Sequence, residues 1–254
     1  MIDSHCHFDA AEFDHDRDAA HARALAAGVQ DMVVPAVERA NFGAVASLCR
    51  DYAGCHPAYG IHPLFVARAE EGDLQALRAT LQREQAVAVG EIGLDNFIPD
   101  PDVDKQTHFF VEQLKIACEF DLPVILHVRK AVDQILRELR KSPPCGGIAH
   151  AFNGSRQQAD AFIKLGFKLG FGGAMTWQRA LKIRALAATL PLDSIVLETD
   201  SPDIPPEWLG NHGRNEPAEL PRIAAVLAEL RGISVAEVSE QTIVNTRAAL
   251  RIPT

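Results

Sequence analysis

The most constraining feature of this chain is a regular alternation of short apolar runs with longer amphipathic stretches. The short runs have the length and composition of β-strands: residues 1–4, 32–37, 58–61, 87–92, 123–126, 147–149, 167–171 and 194–197. Helices are predicted at 16–27, 41–51, 73–84, 104–120, 131–140, 155–165, 179–190, 219–231 and 235–250. A chain that alternates strands with helices in this way builds a parallel sheet covered by the helices.

The number of repeats decides which parallel architecture to expect. Eight strand–helix units in 254 residues predict a TIM-type (β/α)8 barrel with extra C-terminal helices. An open doubly wound sheet is the alternative, but no G-x-G-x-x-G motif follows the first strand. No linker, repeat or low-complexity tract interrupts the pattern, so we interpret residues 1–254 as a single α/β domain.

Composition and net charge indicate which cellular compartment and which classes of binding partner to expect. The chain is 47% hydrophobic and 23% charged, which is ordinary for a globular protein, and no apolar run approaches the roughly twenty residues of a membrane span. Five cysteines without a CxxC pair favour reduced thiols and a cytoplasmic protein, and we expect no signal peptide ahead of the first strand. A net charge of −9 argues against broad electrostatic binding to nucleic acid or membrane. It is compatible with a site that handles one phosphate at a time, and no obligate protein partner is evident.

His5 and His7 are the first candidate metal ligands. Alternate residues of a strand point to the same face, so two imidazoles at this spacing share a face about 7 Å apart along the strand. Such a pair can close on one metal ion. An isolated His-x-His is a weak motif, however, and the interpretation depends on the rest of the chain.

Further side chains of metal-ligand type stand at the ends of other predicted strands. The complete candidate set is His5, His7, Glu91, His127, His150 and Asp200. In a barrel these strand ends converge on the face that carries active sites. One polar residue at a strand end is ordinarily a helix cap, but six of ligand type are not explained that way. They suffice for two divalent ions that remain open to water, with Glu91 as the bridge because a carboxylate offers two equivalent oxygens.

The chain resembles the TatD family of metal-dependent hydrolases, which belongs to the amidohydrolase-like barrels. The motifs that carry the resemblance are Asp3-Ser4-His5-Cys6-His7-Phe8, Gly60-Ile61-His62-Pro63, Gly90-Glu91-Ile92-Gly93-Leu94-Asp95, Leu122-Pro123-Val124-Ile125-Leu126-His127, His150-Ala151-Phe152-Asn153-Gly154-Ser155, Glu198-Thr199-Asp200-Ser201-Pro202 and Arg214-Asn215-Glu216-Pro217. They extend over nearly the whole chain in the family's order. The resemblance implies a TIM-like barrel, a divalent-metal site and an activity like that of DNases, some of which are 3′ exonucleases.

The resemblance also implies how the ligands divide between two metals. It assigns one ion to His5, His7 and Asp200, the bridge to Glu91, and the second ion to His127 and His150. The chain departs from the family at Asn96–Asp100, where a Tyr-rich stretch is common, and beside two ligands, in His127-Val128-Arg129 and in Ala151–Gly154. The ligands survive these changes, but the surroundings of the leaving group differ.

Substrate-binding residues are predicted with weaker motifs. His62 either meets a substrate phosphate or hydrogen-bonds within the barrel mouth. Arg129 either binds an anionic group or forms a surface ion pair. Asn153 precedes a helix whose first N–H groups attract anions, although an ordinary helix cap is the slightly preferred interpretation.

Three further residues are interpreted from their position beside the motifs. Glu198 is expected to orient a ligand histidine. Trp177 and Trp208 are expected to pack at the barrel mouth rather than to stack on a base.

The predicted activity is metal-dependent hydrolysis of DNA phosphodiester bonds, with 3′ exonuclease action as one form of it and with hydroxide made from water at a dinuclear site. Asp200 and Glu91 are the catalytic residues, with Asp200 shuttling the proton. The predicted cofactors are two divalent metal ions, and imidazole and carboxylate ligands do not distinguish among Zn, Mn, Mg, Ni and Fe. The partner is a DNA end or a nucleotide. The alternatives are hydrolysis of an amide, ester or other C–N bond on the same site, and a non-catalytic protein with a structural metal, which would be closed by four ligands.

Overall fold

The computed structural model describes residues 1–252, in which eight parallel strands form one sheet in sequence order. The strands are β1 (Ile2–Asp3), β2 (Asp31–Pro35), β3 (Cys55–Tyr59), β4 (Ala88–Asp95), β5 (Val124–Arg129), β6 (Gly147–Ala149), β7 (Phe167–Phe171) and β8 (Ile195–Leu197). Backbone hydrogen bonds close the sheet just beyond β1 and β8. The N–H of Ser4 donates to Leu197 O at 3.0 Å, and the N–H of Asp200 donates to His5 O at 2.9 Å. The predicted barrel is confirmed.

Nine α-helices surround the strands in the described part of the chain. They are α1 (Arg17–Ala26), α2 (Phe42–Asp51), α3 (Glu71–Arg83), α4 (Val103–Glu119), α5 (Val132–Lys141), α6 (Arg156–Lys164), α7 (Leu181–Thr189), α8 (Leu220–Arg231) and α9 (Val235–Ala249). Local chemistry sets their starts: the Ser155 hydroxyl accepts from the N–H of Gln158 and begins α6. Of the helices between residues 1 and 252, none is long and apolar enough to cross a membrane.

Several predicted bounds are wrong by a few residues. The third strand, predicted at 58–61, runs over Cys55–Tyr59, because His56 and Pro57 hide its start from an apolar pattern. Strand β4 continues through polar residues to Asp95, where it still pairs with β5. Strand β1 ends at Asp3, so His5 and His7 lie in the irregular segment that follows it.

The apolar core has two layers, one inside the barrel and one between the barrel and its helices. The inner layer combines residues from most strands, among them Ile2, Val33, Ile125, Ile148 and Val196. Leu250 and Ile252 pack against the same cluster, and the N–H of Arg251 donates to Val87 O at 3.3 Å. The residues after α9 therefore close the end of the barrel where the strands begin, and the other end is left for polar side chains.

Candidate metal centre

His5 and His7 meet at their Nε2 atoms rather than side by side along a strand. The two nitrogens are 3.3 Å apart, whereas the backbone positions of residues i and i+2 in a strand are about 7 Å apart. Strand β1 ends at Asp3, so both histidines lie just beyond the predicted strand, although the N–H of Cys6 still donates to Val33 O at 3.0 Å. The two imidazoles converge, with ring centroids 5.0 Å apart.

Two carboxylate oxygens complete this first group. Oε2 of Glu91 lies 3.1 Å from His5 Nε2 and 3.6 Å from His7 Nε2. Oδ1 of Asp200 lies 3.4 Å from His5 Nε2 and 3.7 Å from His7 Nε2. The first group therefore consists of two imidazole nitrogens and two carboxylate oxygens around one point.

The second oxygen of Glu91 faces a different set of imidazoles. Oε1 lies 2.8 Å from His150 Nε2 and 2.9 Å from His127 Nδ1. The ring of His150 also stacks on that of His5, with centroids 4.0 Å apart, so the two groups adjoin. All six side chains that the sequence proposed as ligands are thus brought together, from within β4 and β5 and from the segments that follow β1, β6 and β8, with Glu91 between the two groups.

These donor atoms fit a divalent ion. Four ligands held tetrahedrally at about 2.1 Å from a metal are about 3.4 Å from one another. The distances between histidine nitrogens and carboxylate oxygens in the first group, from 3.1 Å to 3.7 Å, bracket that value. The second group is held at hydrogen-bond distances of 2.8 Å and 2.9 Å, so an ion there would replace a shared proton.

His62 joins the second group, but its hydrogen bonds make it a donor rather than a ligand. Its Nε2 lies 3.3 Å from Glu91 Oε1 and 3.0 Å from His127 Nδ1. Its Nδ1 accepts the N–H of Leu64 at 3.1 Å, so the proton of the neutral ring is on Nε2. Burial lowers the pKa of His62 to about 4, which keeps the ring neutral.

The ring of His127 is oriented by Asp95, whose role is not apparent from the sequence. Oδ2 of Asp95 lies 3.0 Å from His127 Nε2, and its Oδ1 accepts the N–H of Phe97 at 2.8 Å. The carboxylate places the proton on Nε2 and leaves the lone pair of Nδ1 pointing at Glu91. Asp95 closes the Gly-Leu-Asp motif at the end of a buried strand, and that position was the available signal.

Asp3 ties the segment of the first histidines to the end of β8. Its carboxylate accepts from Thr199 Oγ1 at 2.6 Å and from Thr199 N at 2.9 Å. Burial raises the pKa of Asp3 to about 7. Both His5 and Asp200 adjoin this contact in sequence, so it fixes the spacing of the first group.

Glu198 does not have its predicted role of orienting a ligand histidine. Its Oε1 accepts the N–H of Ala151 at 2.6 Å and lies 3.9 Å from His150 Nδ1, beyond hydrogen-bond distance. It therefore anchors the backbone after His150 instead of bonding to the ring. The carboxylate fits only because Gly170 has no side chain, since a Cβ there would lie 2.1 Å from Glu198 Oε2.

The charges of the cluster are strongly coupled. Burial and the neighbouring His150 lower the pKa of His5 to about 3, so its ring is neutral and free to bind a cation. Burial lowers the pKa of His150, but the Glu91 carboxylate outweighs it and raises that pKa to about 10. Burial opposes ionisation of Glu91, yet the surrounding imidazoles hold its pKa well below the ordinary range. Burial raises the pKa of Asp200. The centre is therefore a buried carboxylate that requires positive charge beside it.

A strained turn carries Asp200. Asp200 and Ile204 have φ angles of 58° and 42°; aspartate tolerates this left-handed region, but the β-branched side chain of Ile204 is strained there. The buried amide of Asn215 holds this turn by donating to the carbonyl oxygens of Thr199 at 2.8 Å and Asp203 at 3.0 Å. The Asn215 motif seen in the sequence thus positions the Asp200 carboxylate.

Arg129 and Asn153, the other predicted substrate residues, lie outside this cluster and are exposed. The guanidinium carbon of Arg129 is 4.0 Å from the centre of the Phe97 ring, so Arg129 stacks on an aromatic instead of forming the alternative surface ion pair. Asn153 precedes Ser155, whose side chain caps α6, and any part of Asn153 in substrate binding stays a prediction.

Comparison with known proteins identifies the family. The model of the TatD related DNase family matches residues 2–251. The chain belongs to the TatD family of metal-dependent hydrolases. The TatD-family resemblance seen in the sequence is therefore confirmed.

Individual relatives agree with this assignment. An uncharacterized metal-dependent hydrolase of Escherichia coli K12, YjjV, is 43% identical over all of this chain and 98% of its own length. The crystal structure of that TatD homologue has a TM-score of 0.94 at 42% identity, covering 100% of this chain and 98% of the other. A protein named 3′–5′ ssDNA/RNA exonuclease TatD from Cronobacter sakazakii is 37% identical over 91% of this chain and 90% of its own. A TatD family hydrolase from Entamoeba histolytica, at 18% identity and a TM-score of 0.89 over 100% and 98% of the two chains, shares the fold.

Proposed function

We propose that this chain is a metal-dependent nuclease that hydrolyses phosphodiester bonds at an end of single-stranded DNA, with 3′-to-5′ exonuclease action as its form. The observation that supports this most is Glu91, whose two oxygens face two separate histidine groups at the mouth of the barrel. The relative from Cronobacter sakazakii, named as an exonuclease on single-stranded DNA and RNA, supports the choice of substrate.

Two groups of ligands would share the metal ions. His5, His7 and Asp200, which cluster closely, would hold one divalent ion. His127 and His150, which both face Glu91 Oε1, would hold a second, and Glu91 would bridge the two ions. Bound ions would supply Lewis-acid stabilisation of charge on the phosphoryl oxygens and make a nearby water more acidic. Zn, Mn, Mg, Ni and Fe all remain candidates for such a mixed imidazole and carboxylate site.

Asp200 is the proposed proton acceptor. Its carboxylate lies at the strand end and is 8% exposed, so it borders both the buried donor atoms and the solvent. It would take the proton from the water that attacks phosphorus and later return it to the leaving oxygen. The N–H at Nε2 of His62 would donate to a phosphate oxygen once His127 Nδ1 is engaged, since these two atoms are now 3.0 Å apart.

The test uses labelled single-stranded DNA with a free or a blocked 3′ end, in parallel with a panel of small amides and esters. We expect the free-ended strand to shorten from its 3′ end, and chelation to stop the reaction without unfolding the protein. Turnover of an amide with intact DNA would favour the alternative hydrolase, whereas unfolding on chelation would indicate a structural metal.

A further inference from the structure

A second polar feature lies beside the metal centre, on the same face of the barrel. A cleft of about 540 Å³ opens between the loops that follow β6, β7 and β8. We call it the β6–β8 cleft; its lining includes Asn153, Trp177, Arg179, Leu181, Lys182 and Ile204. Its volume is within the range of small-molecule sites.

The chain itself connects this cleft to the metal centre. Asn153 follows the candidate ligand His150 by three residues, and Ile204 follows Asp200 by four. The turn between Asp200 and Ile204 is short, since the N–H of Asp203 donates to Asp200 O at 2.9 Å. The cleft therefore opens on the face of the barrel that carries the metal centre, and a four-residue turn of the chain connects it to the proposed proton acceptor.

The cleft is positive although the chain carries a net charge of −9. Arg179 and Lys182 are both exposed on its wall, and none of the residues that line it is acidic. Within residues 1–252 their polar contacts are to neutral oxygens: Lys182 Nζ donates to Asn153 O at 3.2 Å, and Arg179 donates to Asn211 Oδ1 at 3.2 Å. The guanidinium of Arg179 also stacks on the Trp177 ring, 4.5 Å from its centre, so one face of that ring is covered. Neither cation is paired with a carboxylate among the described residues, so both charges can still attract an anion.

Another cavity of the same molecule lacks such unpaired positive charge. A smaller cavity of about 320 Å³ also contains two arginines, Arg39 and Arg68. There each arginine is paired with a carboxylate, Arg39 with Asp73 at 3.2 Å and Arg68 with Glu38 at 2.6 Å. The cations of the β6–β8 cleft have no such counterpart among the described residues.

The remaining wall of the cleft suits a planar apolar group. The Trp177 ring lines it and is fixed by the bond from its Nε1 to Pro205 O at 3.0 Å. Leu181 is 75% exposed at the same wall, an unusual exposure for a large aliphatic side chain. Aromatic and aliphatic surface combined with two cations is the chemistry that binds single-stranded nucleic acid through stacking and phosphate contacts.

We propose that the β6–β8 cleft is the subsite for a nucleotide of the single-stranded substrate beside the scissile phosphate. Arg179 and Lys182 bind its phosphates, and Trp177 with Leu181 contacts its base. This inference rests on the proposed function, in that it specifies where the polynucleotide of that reaction lies. It also explains how an acidic protein binds a polyanion, since the positive charge is confined to one cleft.

Binding is measured with a fluorescein-labelled, phosphorothioate-linked pentathymidylate that resists hydrolysis, using the protein as purified. Replacing both cations, Arg179→Ala with Lys182→Ala, is expected to raise Kd about tenfold or more. The slope of log Kd against log salt should fall by about 1.4, because each phosphate that a cation neutralises on a single strand adds about 0.7 to it. Arg140→Ala with Lys164→Ala is the matched control, because both residues are exposed at the C-terminal ends of α5 and α6 and should leave Kd unchanged.

A second readout reports on the base. The chain has two tryptophans, so Trp208→Phe leaves Trp177 as the sole indole. We expect the pentathymidylate to quench the fluorescence of that variant. We also expect removal of both cleft cations to raise KM for an unmodified strand, with kcat within a few-fold of wild type.

The outcomes separate this inference from the proposed function. Cation-dependent binding and quenching without hydrolysis would support the subsite and refute the nuclease. Hydrolysis with Kd, salt slope and KM unchanged in the cleft variant would refute the subsite and leave the nuclease standing. A protein that neither binds nor hydrolyses the strand would overturn both.

Discussion

Asp95 Oδ2 lies 3.0 Å from Nε2 of His127, and this contact determines which nitrogen of the ring faces the metal centre. The other nitrogen, Nδ1, is 2.9 Å from Glu91 Oε1. Two lone pairs at that distance repel unless a proton or a cation lies between them. The pair of Asp95 and His127 therefore presents an acceptor to whatever cation the centre holds.

We expect Asp95→Asn to lower metal affinity about 10- to 100-fold, the usual effect of removing a carboxylate that orients a ligand histidine. The amide cannot accept both from His127 and from the N–H of Phe97 as the carboxylate does. The measurement is a competitive titration of metal with a chromophoric chelator. Asp104→Asn, at an exposed position of α4, is the control, and equal affinity in the two variants would remove the role given to Asp95.

Glu91→Gln should release the more weakly held ion. Glutamine presents one acceptor oxygen and turns an NH2 group toward a cation. The first group keeps three ligands, whereas the second keeps only His127 and His150. Elemental analysis should give fewer ions per chain than in the wild type. Because a glutamate bridge needs no CO2, wild-type activity should not respond to bicarbonate. Undiminished metal content, or activation by bicarbonate, would contradict the bridging assignment.

Asp200→Asn should lower kcat about 100- to 10,000-fold, the size expected for a positioned acid–base group. The side chains are nearly isosteric, so the fold should survive, as judged by the thermal midpoint. The same substitution at exposed Asp160 should leave kcat unchanged. Activity within a few-fold of wild type would show that another group accepts the proton.

Asn215→Ala should lower the free energy of unfolding by about 2–4 kcal/mol, because it leaves buried carbonyl groups without donors. Asn215 is fully buried and holds the turn of Asp200 through Thr199 O and Asp203 O. Urea unfolding followed by circular dichroism gives the difference. Exposed Gln157→Ala should stay within about 0.5 kcal/mol of wild type. If Asn215→Ala did the same, the strained turn would be held by other contacts.

An ion cluster on the surface gives a pH-dependent prediction. Hydrogen bonds from Arg214 and Arg23 hold the pKa of Asp16 well below its ordinary value of about 3.9. A carboxyl group whose pKa is lower in the folded state stabilises the fold above the ordinary pKa. That contribution is lost as pH falls through and below about 4, where the unfolded state binds the proton first.

We therefore expect Asp16→Asn to lower the urea midpoint at pH 7, with a difference from wild type that shrinks at pH 3. The Asp16 side chain makes no cap hydrogen bond to α1, so loss of a helix cap does not confuse the comparison. Asp160→Asn, which breaks a single exposed pair with Arg156, should show little difference at either pH. An Asp16→Asn difference that is constant with pH would exclude the ionic explanation.

The sequence by itself determined the barrel, because strand and helix periodicities are local and eight repeats permit few closures. It also located the candidate ligands, since parallel strands gather their C-terminal ends on one face, and the six side chains do meet there. Their roles as ligands stay a prediction that metal analysis must test. Element bounds were less certain, since polar residues such as His56 conceal the start of a buried strand.

Only the tertiary structure decided which atoms face one another. Glu91 presents one oxygen to each histidine group, His62 turns its N–H inward because Leu64 occupies the other nitrogen, and Asp95 selects the tautomer of His127. Such orientations depend on side-chain packing and on local irregularities, such as the register shift between Val89 and Ile92 beside Glu91, which periodicity does not predict. The β6–β8 cleft is likewise a product of the fold: its two cations are close together in sequence, but only the closed barrel places them beside Asn153 and Ile204 from the neighbouring loops.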